Sequence, residues 1–234
     1  MKKISRVFIL LLTAGALFMG CNPSSGGTNG GDDSIDGSGN GTTNSNGAPD
    51  VSINVDTSTL SPTTGGITLS DGTWKMTEVY TGSDTEGSEP SNGGRKIIYT
   101  FTVSGNSATI TGGSIVKFQT ITLADDDEVA RVKNNKEIEA GTQRAGGKNA
   151  AVSVNGRTLT YAVSGDLSSR EIDNANAWYD KPEDFYSTFI SKATVMKNDS
   201  NSVFYAIWQD DYEEDMVKAR TYENATYAVI FEKN

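Results

Sequence analysis

An all-β chain with one or two small helical inserts is what this sequence predicts. Its strands should be antiparallel and joined largely by hairpins. Three observations carry the prediction. Ile97, Tyr99, Phe101 and Val103 share one parity, with Thr100 and Thr102 on the other. A half-buried antiparallel strand requires that alternation. Val152 and Val154 lead into Asn155-Gly156, and Leu159, Tyr161 and Val163 follow. Asn-Gly between alternating apolar residues suits a tight type I′ hairpin. Short strand-like runs separated by Gly, Asn and Ser recur along the chain. That spacing favours a barrel or a sandwich over a doubly wound sheet.

The strands begin at Ile67. Gly72 to Tyr80 is the first strong run, with Trp74, Met76 and Tyr80 at even spacing. Gly82 to Gly94 reads as a polar loop, and Lys96 to Val103 is the cleanest strand. Ser104-Gly105-Asn106 turns the chain into Ala108–Thr111, and Gly112-Gly113 interrupts it. In Ile115 to Leu123 the apolar parity changes between Phe118 and Ile121, so a β-bulge is expected near Gln119. Asp125 to Gly147 is charged and predicts a surface excursion. Residues 168–189 predict helix and turn. Ser168 and Glu171 have capping-box spacing, Pro182-Glu183-Asp184 opens a short turn, and Phe185 and Phe189 share a face. Lys192 to Met196 is a weaker strand, and Asn198 to Asn201 is a turn. Val203–Trp208 and Thr226–Phe231 are apolar on both faces and predict covered strands. Glu213 to Arg220 is expected as a helix, acidic first and basic last, which suits the macrodipole.

Gly72-Thr73-Trp74 at the head of the first strong strand resembles the Gly-x-Trp signature of lipocalins. The up-and-down strand order and the helix before the last strand resemble that family too. The resemblance implies an antiparallel up-and-down β-barrel over residues 67–234. It also implies a structural role for Trp74, at the barrel floor. A β-sandwich with a core tryptophan is the alternative.

The chain's beginning has a different character. Lys2, Lys3 and Arg6 precede Val7 to Met19, an uncharged apolar run of thirteen residues. That is short of the roughly 20 needed to span a bilayer. Gly20 then stands before Cys21, the only cysteine. The pattern resembles the lipobox of bacterial lipoproteins, with Phe18 where Leu is usual and Met19 where a small residue is usual. The resemblance implies that residues 1–20 are a signal peptide. Cys21 then carries a diacylglyceryl anchor and becomes the mature N-terminus. An ordinary secretory leader with an unrelated thiol is the alternative. The implied location is a bacterial outer membrane or cell surface, with the domain outside the cytoplasm and the lipid bilayer as partner.

Residues 21–66 are expected as a tether. Asn22 to Asp50 holds eight glycines, with Ile35 and Ala48 as its apolar side chains. It lacks the apolar content to offset the entropy of ordering. A Gly-rich coil of that length has a mean reach of roughly 30 Å. Val51, Ile53 and Val55 alternate as a strand would, so the domain boundary falls between residues 50 and 70.

Composition excludes several chemistries. Removing residues 1–20 leaves 17 basic and 30 acidic side chains, a net charge near −13. Such a surface repels phosphate backbones, so no nucleic-acid partner is expected. There is no histidine, which removes Ser-His-Asp catalysis, His-ligated zinc and the commonest general base. No phosphate-binding glycine loop is present, and no cofactor or metal is expected. The acidic clusters at Asp125–Glu128 and Asp210–Asp215 lack calcium-loop spacing and read as solvated charge.

The strand aromatics are the candidate site. Tyr99, Phe101, Phe118, Tyr161 and Tyr205 would either fill a core or line a lumen around one small ligand. Three functions follow. The first is a tethered module binding a small apolar or amphipathic molecule. The second is a surface interaction protein or adhesin that meets an extracellular protein or glycan through loops 82–94 and 124–149. The third is a carboxylate-only hydrolase.

Overall fold

A computed structural model of the chain describes residues 49, 51–64, 66–84, 91–134, 148–215 and 219–234. The expected signal peptide, Cys21 and residues 22–48 of the expected tether lie outside the described residues. So do parts of the two expected loops, at 85–90 and 135–147.

One antiparallel sheet of nine strands forms the domain. The strands are β1 Ser61–Pro62, β2 Gly72–Asp84, β3 Ser91–Ser104, β4 Ser107–Thr122, β5 Asn149–Asn155, β6 Thr158–Asp166, β7 Met196–Lys197, β8 Val203–Asp215 and β9 Ala219–Lys233. Helix α1 is Asp126–Lys133 and helix α2 is Ser169–Asn176. Across the sheet the order is β1-β7-β8-β9-β2-β3-β4-β6-β5.

The sheet is not closed. Its terminal strands β1 and β5 do not pair, so the expected up-and-down barrel is corrected to an open sheet. The lipocalin-like reading falls with it. A two-sheet sandwich is not formed either, because all nine strands belong to one sheet. The physical reason lies in the excursion after β6. A barrel buries its inner face by closing on itself. Here the inner face of Trp74, Met76, Tyr99, Phe101, Ile110, Phe204 and Phe231 is covered by Ala175, Phe185, Phe189 and Val195 from the connection between β6 and β8. Phe185 stacks on Phe101 with centroids 4.1 Å apart. Trp74 is fully buried and its indole N–H donates to the Ser70 carbonyl at 2.7 Å.

That connection forms as its sequence predicts. Ser168 caps α2 through a capping box with Glu171, and Pro182–Phe185 is a 3-10 turn. Lys148 reaches the Glu171 carboxylate at 2.6 Å. Burial opposes ionisation of Glu171, but the hydrogen bonds from Lys148 and Ser168 prevail and hold its carboxyl below the usual range.

Other expectations are corrected. The polar loop at 82–94 is shorter, since β2 continues to Asp84 and β3 begins at Ser91. Gly112-Gly113 does not interrupt β4. The ladder slips there instead, opposite Thr100 and Phe101, and the pairing around Gln119 is regular. The parity change reflects two covered faces. Ile115 and Ile121 turn inward, while Phe118 packs on the outer face with Val51 and Val79. The Asn155-Gly156 hairpin forms, but Asn155 pairs with Thr158 and Gly156 is the one loop residue with positive φ, at 57°. A II′ loop needs that sign at its first position, whereas I′ needs it at both. The helix expected at Glu213–Arg220 is replaced by β8 to Asp215 and β9 from Ala219. Val203–Trp208 is covered on one face only, since Ile207 on the other is 52% exposed.

Among the described residues, Pro49 makes a β-bridge and Val51 is packed, both ahead of the start expected at Ile67. Val51 is 5% exposed and seats against Phe118 where Gly94 leaves room. Lys96 Nζ donates to the Ser52 carbonyl at 2.8 Å. Removing residues 1–50 should therefore leave the thermal midpoint within a few degrees. Removing Val51, Ser52 and Ile53 as well should cost roughly 2–4 kcal/mol of burial and lower it by roughly 5–15 °C. Equal midpoints for the two truncations in thermal unfolding would show that the outer-face cluster adds nothing.

Candidate functional site

Cross-strand register places one row of unlike side chains across the inner face. Trp208 of β8 lies opposite Tyr227 of β9, and Tyr227 opposite Tyr80 of β2. Tyr80 lies opposite Arg95 of β3, and Arg95 opposite Lys117 of β4. Each strand contributes the residue that its pleat turns inward, so the row follows from pairing. On one side lies the apolar core. On the other, Tyr222 lies over Gly82 and Gly93, where any Cβ would collide with or crowd its ring.

The row is in contact along most of its length. Phe189 stacks on Trp208 at 4.9 Å, and Trp208 on Tyr227 at 5.2 Å. Tyr227 meets Tyr80 at 5.4 Å. The Arg95 guanidinium sits 4.5 Å from the centroid of the Tyr80 ring, a cation–π contact. Tyr80 is buried, whereas Trp208, Tyr227, Arg95 and Lys117 are half-buried. Glu78, also half-buried, lies on the same face one step closer to the core.

Electrostatics keep the phenols neutral. Burial pushes the hydroxyls of Tyr99, Tyr179 and Tyr227 far above the usual phenol range. The Glu78 carboxylate adds to that rise in all three, and Arg95 opposes it. These tyrosines therefore serve as hydrogen-bond donors and acceptors across the accessible pH range. They are not poised as bases or nucleophiles. Beside the row, Gln119 Nε2 donates to the Tyr222 hydroxyl at 2.9 Å, and Ser91 Oγ donates to the same hydroxyl at 3.3 Å. The Gln119 Oε1 is buried and meets no donor among the described residues.

The five residues expected from the sequence do not converge. Tyr99, Phe101 and Tyr161 face inward, whereas Phe118 and Tyr205 face outward. Phe101 is fully buried under Phe185 and belongs to the core. Sequence reasoning did not single out Tyr80, Arg95, Trp208 and Tyr227 together. Tyr80 shares parity with Trp74 and Met76, which was a usable signal. Arg95 fell between the expected loop and the expected strand, and the pairing of Tyr80 with Tyr227 links positions far apart in the chain.

The acidic clusters have structural partners. Asp125 accepts the Glu128 amide at 2.7 Å at the start of α1. Asp210 pairs with Lys192, and Asp211 accepts the Asn224 amide at 3.1 Å. Among the described residues no three acidic side chains gather as metal ligands, and no helix is long and apolar enough to cross a membrane.

Comparison with protein-family models, with curated proteins and with solved structures gives no match.

Proposed function

We propose that this chain is an exported lipoprotein, held at a membrane through Cys21, whose open sheet is a recognition domain. Its partner is a glycan bound along the row Trp208–Tyr227–Tyr80–Arg95. The observation that supports this is the row itself: aromatic rings in contact, flanked by a cation and a carboxylate, with Trp208, Tyr227, Arg95 and Glu78 half-buried beside the buried Tyr80. Sugar rings offer C–H groups that pack on the half-buried Trp208 and Tyr227 and hydroxyls that bond to Arg95, Glu78 and neutral phenols. A barrel enclosing an apolar molecule is no longer the reading, because the sheet is open and its apolar inner end is filled by Phe185 and Phe189. The absence of histidine from the sequence favours binding over catalysis.

The test uses full-length protein in membranes and in detergent. Cys21→Ser should leave the membrane fraction and lose labelling by a fatty-acid analogue. Trp208→Ala should lower affinity for oligosaccharides on a glycan array by roughly tenfold or more while the fold is retained, since truncated stacking aromatics cost at least about 1.4 kcal/mol in binding. Equal glycan binding by wild type and Trp208→Ala would refute the site. Unchanged membrane partitioning of Cys21→Ser would refute the anchor.

A further inference from the structure

The two sides of the sheet end differently. Beyond its short pairing with β7, strand β8 is a free edge among the described residues. It carries Asp210, Asp211, Glu213, Glu214 and Asp215, and its ladder slips between Asp210 and Tyr212. Charge and a bulge are the usual protections of an edge against pairing with another chain. Strand β5 has neither. Its sequence, Asn149 to Asn155, contains no charge and no proline, and its ladder with β6 is regular. In β5, the turn and β6 as far as residue 164, Arg157 is the one charged residue, and Asp166 stands at the far end of β6. Arg157 is held at the turn, where its Nε donates to the Leu123 carbonyl at 2.7 Å.

The unused backbone groups can be placed. A two-residue loop closes on a hydrogen-bonded pair, here Asn155 with Thr158. Bonded pairs then recur at every second residue, so Ser153 and Ala151 also bond to β6. The amides and carbonyls of Ala150, Val152 and Val154 therefore point away from the sheet, and no described strand meets them.

We propose that this edge pairs with β5 of a second copy of the chain. The pairing is antiparallel and centred on Val152, so the two sheets become one. It is self-complementary, as a two-fold contact must be. Val152 meets Val152, Ala150 meets Val154, and Ala151 meets Ser153. The small side chains of Ala151 and Ser153 are exposed on the outer face, so neither obstructs approach. Charge favours a second copy at this place. Two chains that each carry an excess of acid repel over most of their surface, and the uncharged strand Asn149–Asn155 is where they meet at least cost. Strand addition of this kind draws its affinity from main-chain hydrogen bonds.

The test uses full-length protein in detergent, with two differently tagged copies co-expressed and followed by co-purification and sedimentation velocity. Wild-type copies should co-purify as dimers. Ala151→Lys with Ser153→Lys sets like charges opposite each other twice across the two-fold axis. It should weaken self-association by roughly tenfold or more while leaving the circular dichroism unchanged, because both side chains are exposed. Mixing that variant with Ala151→Glu/Ser153→Glu should restore the pair as a heterodimer. Wild type that stays monomeric at high concentration would overturn the proposal. So would a lysine variant that still dimerises, or a mixture that fails to rescue.

Discussion

Gly113→Ala should destabilise the domain by about 3 kcal/mol or more, whereas Gly112→Ala should be neutral or stabilising by about 0.5 kcal/mol. The two glycines are adjacent in β4, and neither has a positive φ. What separates them is space. A Cβ on Gly113 would stand far inside contact distance of the Ile98 carbonyl oxygen, and 2.8 Å from Leu167 Cδ1. A Cβ on Gly112 would meet nothing within 4 Å. The carbonyl is backbone in β3 and cannot turn aside as a flexible side chain would. The Gly113 carbonyl also accepts the Leu167 amide at 2.8 Å, which fixes the entry to α2. The new methyl must therefore displace a ladder that holds both the slip at Phe101 and the start of the covering segment. Urea denaturation of the two variants reads the difference directly, as a shift in midpoint at constant slope. Equal midpoints would mean that the close approach of Gly113 to Ile98 is not a feature of the folded protein.

Phe101→Ala should cost about 3–5 kcal/mol, the range for a fully buried large aromatic. Phe101 is 0% exposed. It is stacked beneath Phe185, which stacks in turn on Tyr179 at 4.8 Å. Its loss would open a cavity under the very segment that takes the place of barrel closure. Trp208→Ala, in the half-open row, should cost clearly less stability and should act on binding instead. A denaturation series that ranked Trp208→Ala as costly as Phe101→Ala would place the row inside the core. It would then leave no surface for a partner.

Much of the fold was legible because strand chemistry is local. The pleat forces alternate side chains to opposite faces, so Ile97, Tyr99, Phe101 and Val103 announced an inward face without reference to any partner. Turn chemistry is local too. Gly105, Gly156 and the Ser168–Glu171 capping box marked their turns and helix start correctly. Errors arose wherever a second surface intervened. Phe118 broke parity because Val51, more than sixty residues earlier in the chain, covers the outer face. The Glu213–Arg220 run has a helix-like charge order, yet Glu213, Glu214 and Asp215 of β8 pair with Thr221, Arg220 and Ala219 of β9.

The antiparallel β class, the inward parity of β3 and the turns at Gly105 and Gly156 were readable from the chain alone. Each depends on neighbours within a few residues. Only the tertiary structure decided that the sheet stays open, that Phe185 and Phe189 fill its apolar end, and that Trp208, Tyr227, Tyr80 and Arg95 form one row. Those outcomes depend on which distant segment covers a given face. The connection between β6 and β8 covers the inner surface that closure would otherwise bury, and no local pattern encodes that choice.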